Sequence, residues 1–239
     1  RDGFAYVATS GDVTVVDLLT GAVGETTDLG GGLVVDLALD GEVLYALDAG
    51  GTVRALDLAE SGLSLLGSVT FAVSSGRLFV ADGIAYVGAD TGFLGGFSTA
   101  SFADPSAPVL LSGPDDTSVG GELVRLNGSG LAIAIGTPGG AFGTRVLDVL
   151  RPVGPDRTDG FVTRVTLPTV PVDLALAGGF ALVAGGSGGL QVVNYLGFDT
   201  QGQAPTVAVS TPSVDVDPAT PGLQVQEGGV PPPPLDSPV

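Results

Sequence analysis

Carboxylates are the one reactive side-chain type that this chain holds in number. It has 26 Asp and Glu against eight basic residues, all eight of them Arg, and no His, Cys, Met or Trp. Without imidazole or thiol there is no Ser–His or Cys–His nucleophile, no zinc–thiolate site and no disulfide. Two kinds of chemistry remain. Paired acids at a set separation cleave glycosides, and clustered acids hold hard cations such as calcium.

Two patterns of acids stand out. Asp12, Asp48 and Asp90 each lie at a short turn between two apolar runs. On one rim of a fold they would form an arc of carboxylates, and calcium is the ion suited to it. The competing reading is that Asp in a glycine-containing turn bonds its own backbone. No turn carries the dense D-x-D-x-D spacing of a strong calcium loop, and Asp115–Asp116 and the DVD at 215–217 are no better.

In the second pattern Asp36, Arg125 and Asp173 each stand five residues before a turn glycine (Gly41, Gly130, Gly178), and Arg77 stands six before Gly83. In chain order this reads Asp, Arg, Arg, Asp. Pairing as Asp36–Arg77 and Arg125–Asp173 would tie neighbouring elements together. Alternatively the four charges form a mouth that binds a polar ligand such as a sugar. Asp36 and Asp173 are also the natural pair for a glycosidase. Sugar stacking would fall to four Tyr and ten Phe, and Tyr6, Tyr45 and Tyr86 sit where core packing is expected.

Two further signals read as structural. The acids that close VTVVD, VRALD and TRVLD (Asp17, Asp57, Asp148), with Asn194 closing LQVVN, suit the start of a turn, where a short polar side chain accepts backbone N–H groups. The Gly-rich GTPGGAFGT (136–144) lacks the Lys and following helix of a phosphate loop.

The elements that position these residues repeat. Residues 35–59 (VDLALDGEVLYALDAGGTVRALDLA) align without a gap on 172–196 (VDLALAGGFALVAGGSGGLQVVNYL), 137 residues later. Turn glycines before apolar alternating runs recur at Gly3, Gly41, Gly83, Gly130 and Gly178, spaced 38, 42, 47 and 48. Each unit holds about four short strands of period 2. In the second these are 32–39, 42–48, 52–58 and 63–71. Four-stranded antiparallel units at this period predict a β-propeller of five blades over residues 1–212, with inner strands such as VDLAL and FALVA buried on both faces. A pair of β-sandwiches, the competing all-β fold, does not account for a five-fold repeat.

On the residues AYVATSGDVTVVDL (5–18), AYVGADTGFLGGF (85–97), ALVAGGSGGLQVVNYL (181–196) and SFADPSAPVLLSG (101–113), the chain resembles the LVIVD-repeat β-propellers of bacterial and archaeal surface proteins. The resemblance implies a module of a long secreted or cell-envelope protein. It says little about function, since the repeat defines the family. The absence of Met makes Arg1 no translation start, so a processed product or a piece of a longer chain is expected. The first repeat lacks its innermost strand. Ring closure would need flanking residues or GLQVQEG (222–228), which reads rather as the start of an immunoglobulin-like module. Residues 213–239, ending GGVPPPPLDSPV, read as a polyproline-type linker or that truncated module.

Bulk properties narrow the partners. A net charge of −18 opposes nucleic acid and anionic membranes, and no 18-residue apolar run exists to span a bilayer. Mean hydropathy of +0.47 is ample for a core. The expectation is a non-catalytic structural or adhesive propeller, extracellular or in the cell envelope, that assembles with other modules or with copies of itself. A carbohydrate-binding propeller is the alternative and a carboxylate glycosidase the third reading. No cofactor is implied other than the calcium that the turn acids would suit.

Overall fold

The computed structural model describes residues 3–59, 62–72, 76–89 and 95–199. Residues 213–239, GLQVQEG, the DVD at 215–217 and Asp90 therefore lie outside the described residues. The described residues form five antiparallel sheets in chain order. The first holds β1 (Phe4–Thr9), β2 (Asp12–Asp17) and β3 (Val23–Asp28). The second holds β4 (Val34–Asp40), β5 (Val43–Asp48), β6 (Thr52–Ala59) and β7 (Gly62–Thr70). The third holds β8 (Leu78–Ala81), β9 (Ile84–Gly88), β10 (Phe97–Ser101) and β11 (Val109–Ser112). The fourth holds β12 (Leu123–Leu126), β13 (Ala132–Gly136), β14 (Val146–Leu150) and β15 (Phe161–Thr166). The fifth holds β16 (Asp173–Ala177), β17 (Phe180–Ala184) and β18 (Leu190–Asn194). Every sheet is a simple meander, so each is a propeller blade built from local pairings.

Local chemistry explains the hairpins. Between β8 and β9 the two turn residues are Asp82 and Gly83, both at positive φ (51° and 69°); between β16 and β17 they are Gly178 and Gly179 (56° and 85°). Positive φ at both central positions is the turn whose twist matches the strands it joins, and it favours Asn, Asp and Gly. The fourth sheet differs. There the connection runs from Asn127 to Leu131, and the Asn127 side-chain carbonyl accepts the amides of Ser129 and Leu131.

Successive sheets pack face to face, and the innermost strands β4, β8, β12 and β16 lie side by side. The core is four layers between five sheets. Val13, Val34, Leu44, Ala46 and Leu56 fill the first. Tyr45, Leu47, Val53, Ala55, Leu78, Val80 and Val87 fill the second, where Tyr45 meets Phe102 edge-on at 5.1 Å. Tyr86, Phe97, Val124 and Ala134 fill the third, and Leu123, Ile133, Leu147, Leu174 and Val183 the fourth. Among the described residues no comparable packing joins the fifth sheet to the first. Neither VDLAL nor FALVA is buried on both faces as expected. VLYAL of the second sheet is enclosed by neighbours, but VDLAL (35–39) buries none of its residues and leaves Val35 47% and Leu39 42% exposed, and FALVA of the fifth buries only Ala181 and Val183 and leaves Phe180 41% exposed. No helix among the described residues is long and apolar enough to cross a membrane.

Candidate functional site

The four charges singled out by spacing do fall on or beside the inner strands: Asp36 on β4, Arg77 just before β8, Arg125 on β12 and Asp173 on β16. Asp36 and Arg77 pair. The Arg77 Nε donates to Asp36 Oδ2 at 3.2 Å, and the Leu78 amide donates to the same oxygen at 2.9 Å. The other oxygen takes the Leu37 amide at 3.0 Å. Both carboxylate oxygens of Asp36 are therefore held by the backbone and by the neighbouring sheet.

Arg125 and Asp173 form no ion pair of that kind. The Asp173 Oδ1 accepts the Leu174 amide at 2.8 Å, repeating the contact between Asp36 and Leu37. The Arg125 guanidinium instead lies 5.0 Å over the Phe79 ring of the third sheet, and its Nη1 reaches the Val124 carbonyl at 3.4 Å. Burial lowers its pKa from the ordinary arginine value, against the pull of the Asp173 and Asp36 charges, and Arg77 adds to the lowering. The reason for the missing pair is ladder position. The rungs from Asp36↔Leu47 to Asp40↔Val43 separate Asp36 from its turn, and those from Asp173↔Ala184 to Ala177↔Phe180 separate Asp173 from its own. Only Leu126↔Ala132 follows Arg125↔Ile133 before the Asn127 turn. A longer turn absorbs residues that a count from the glycine assigns to the strand. Arg77, one step off by that count, bonds Gly88 beside the Leu78↔Val87 rung, level with Asp36 in the ladder.

The turn acids behave differently from one another. Asp12 opens β2 opposite Thr9 and Asp28. Asp48 is buried. Its Oδ1 accepts the Gly50 and Thr52 amides, both at 2.9 Å, and its Oδ2 takes Arg54 Nη1 at 2.7 Å. Burial raises its pKa and is the largest single influence. The Arg54 hydrogen bond, the Thr52 amide, the Arg54 charge and the Gly50 amide together outweigh it and hold the pKa below the usual carboxylate value. Among the described residues no three of His, Cys, Asp and Glu stand together as a metal site.

A pH experiment follows from Asp48. A carboxylate whose pKa is lower folded than unfolded adds stability that is complete above about pH 4 and is lost as pH falls through the folded value. Urea denaturation from neutral to acid pH is expected to show this loss. Asp48→Asn is expected to be less stable at pH 7 and to have a shallower acid limb. An unchanged limb would remove Asp48 from the account.

Two polar features escaped the sequence. Asp148 does not start a turn. β14 runs two residues further, to Leu150, and Asp148 is fully buried at mid-strand. The Arg164 Nε and Nη2 grip its two oxygens at 2.7 and 2.9 Å, the Gly120 amide adds a third bond at 2.8 Å, and Arg164 also holds the Ser118 carbonyl. The only sequence signal was an Arg in the middle of FVTRVT. The turn role does hold for Asp17, which accepts the Leu19 and Thr20 amides, and for Asn194, which accepts the Leu196 amide. The second feature is the excursion between β14 and β15. Its Thr158 is buried, exchanges hydrogen bonds with Asp115 and reaches the Gly113 carbonyl, while Thr99 of the third sheet donates to the Pro155 carbonyl.

No protein-family model matches the sequence, and no curated protein matches it. Solved structures do. A chain of Kuenenia stuttgartiensis hydrazine synthase aligns at TM-score 0.61 and 15% identity over 76% of this chain. This chain spans about half, 52%, of that one. A putative 6-phosphogluconolactonase from Bacteroides fragilis aligns at TM-score 0.64 and 14% identity over 80% of this chain and 63% of its own. The β-propeller domain of Swd1 (Cps50) from Myceliophteria thermophila aligns at 0.59 and 15% identity over 93% of this chain and 67% of its own. Identities this low speak for fold alone. The sheet order, the layered core and these neighbours together make the chain a β-propeller.

Proposed function

We propose that this chain is a non-catalytic β-propeller module that mediates protein–protein assembly, within a larger extracellular or cell-envelope protein of the kind that its LVIVD-type repeats resemble. One observation carries the reading. Three of the four charged residues on or beside the inner strands tie blades together: Asp36 is held by Arg77 and Leu78 of the next sheet, and Arg125 lies on Phe79 of the preceding one. A glycosidase needs an acid and a base free to move protons at the substrate, and Asp36 as placed is a poor candidate for either. The geometry likewise favours the turn reading over the calcium reading for Asp48, whose oxygens already have partners.

The test is a polysaccharide panel scored together for retention of the protein and release of reducing sugar. The expected result is neither. Retention without release would replace this reading by the carbohydrate-binding one. Release that disappears in Asp36→Asn and Asp173→Asn would replace it by the glycosidase.

A further inference from the structure

The internal repeat sets the two exposed blade faces beside equivalent faces that are covered. In the second sheet the rungs Val43↔Asp57, Tyr45↔Ala55 and Leu47↔Val53 present Tyr45, Leu47, Val53 and Ala55 to the third sheet, where all four are buried. At the 137-residue offset the fifth sheet has the rungs Phe180↔Asn194, Leu182↔Val192 and Ala184↔Leu190. The equivalent residues are Leu182, Ala184, Leu190 and Val192. They are apolar too, yet Leu190 is 67% and Val192 58% exposed. Among the described residues no further sheet packs on this face.

The first sheet presents the complementary half. Phe4↔Asp17 corresponds to Val43↔Asp57, so Ala5 and Val16 correspond to Leu44 and Leu56, and Val7 to Ala46. In the second sheet those three are buried against the preceding blade. In the first sheet Val7 is 44% exposed, and Val23, opposite Val16, is 70% exposed.

We propose that a second copy of this chain covers the fifth sheet, seating the outward face of its first sheet on Leu182, Leu190 and Val192. The contact repeats the blade-on-blade packing already made four times within the chain. It rests on the assembly reading above and names the partner. Among the described residues of one chain the two faces are not packed on each other as successive sheets are, so the contact is head-to-tail. The charge of −18 per copy opposes it, so association strengthens as salt rises to about 1 M, where the screening length is ~3 Å.

The experiment is sedimentation velocity of the full chain over a wide concentration range at low and high salt. The wild-type chain is expected to self-associate with concentration and more strongly in salt. Leu190→Asp with Val192→Asp closes one face, and Val7→Asp with Val23→Asp closes the other. Each pair is expected to weaken self-association by at least about tenfold. Mixed one to one, the two variants still have one intact face each and are expected to form a dimer of twice 23.5 kDa that goes no further. That recovery shows both to be folded and marks a head-to-tail contact. A wild-type chain that stays monomeric in high salt, variants that associate like wild type, or a mixture that stays monomeric would each overturn the proposal. The assembly reading falls separately, on retention or sugar release in the polysaccharide panel.

Discussion

Asp148→Ala is expected to destabilise the fold by about 3–5 kcal/mol, the range for removing one partner of a buried ion pair. Asp148 is fully buried, while the Arg164 side chain keeps 33% of its exposure. The loss therefore comes chiefly from what Asp148 leaves behind: a guanidinium aimed into the fourth sheet and a Gly120 amide without its acceptor. Single domains have about 5–15 kcal/mol in total, so the variant should unfold at markedly lower urea. Arg164→Leu should cost as much or more, because it strands a buried carboxylate. The double variant Asp148→Leu/Arg164→Leu is expected to recover part of the loss, since it leaves neither charge uncompensated. If the single variants unfold at the wild-type midpoint, the pair is not a structural tie.

The second large effect is expected at a residue with no side chain. A Cβ on Gly121 would stand 2.5 Å from the Gly96 carbonyl oxygen and 2.8 Å from its nitrogen. One on Gly76 would stand 2.5 Å from the Gly121 oxygen, and one on Gly136 2.6 Å from the Gly121 nitrogen. The segment joining the third and fourth sheets thus runs between backbones on both sides. Gly121 is not at positive φ, so Ala there tests close approach and not torsion. Backbone cannot move aside as a side chain can, and overpacking of this kind costs about 1–3 kcal/mol. Gly113→Ala is the control: nothing lies within 4 Å of its Cβ position and its φ is ordinary. It should be neutral or slightly stabilising. Equal midpoints for the two variants would refute the close-packing account.

Much of the blade structure was legible in the sequence. The strands expected at 32–39, 42–48, 52–58 and 63–71 are found at Val34–Asp40, Val43–Asp48, Thr52–Ala59 and Gly62–Thr70. Alternation of period 2 and hairpin glycines are local properties, and a meander needs nothing else. The tie of Asp36 to Arg77 was also legible, because both blades turn after short two-residue hairpins and their ladders stay in step.

What failed did so where residue counting meets three dimensions. Arg125 missed Asp173 because the Asn127–Leu131 turn shifts its ladder. Asp148 was misread because β14 continues past the letters that match the repeat. By itself, then, the sequence determined the number of blades, their strands and the placing of charge along the inner wall, all through short-range periodicity. Only the tertiary structure decided which faces are covered. VLYAL and FALVA are written alike, but among the described residues one has a neighbour on each side and the other on one side only. Burial is a property of what stands opposite, and no strand encodes its own neighbour.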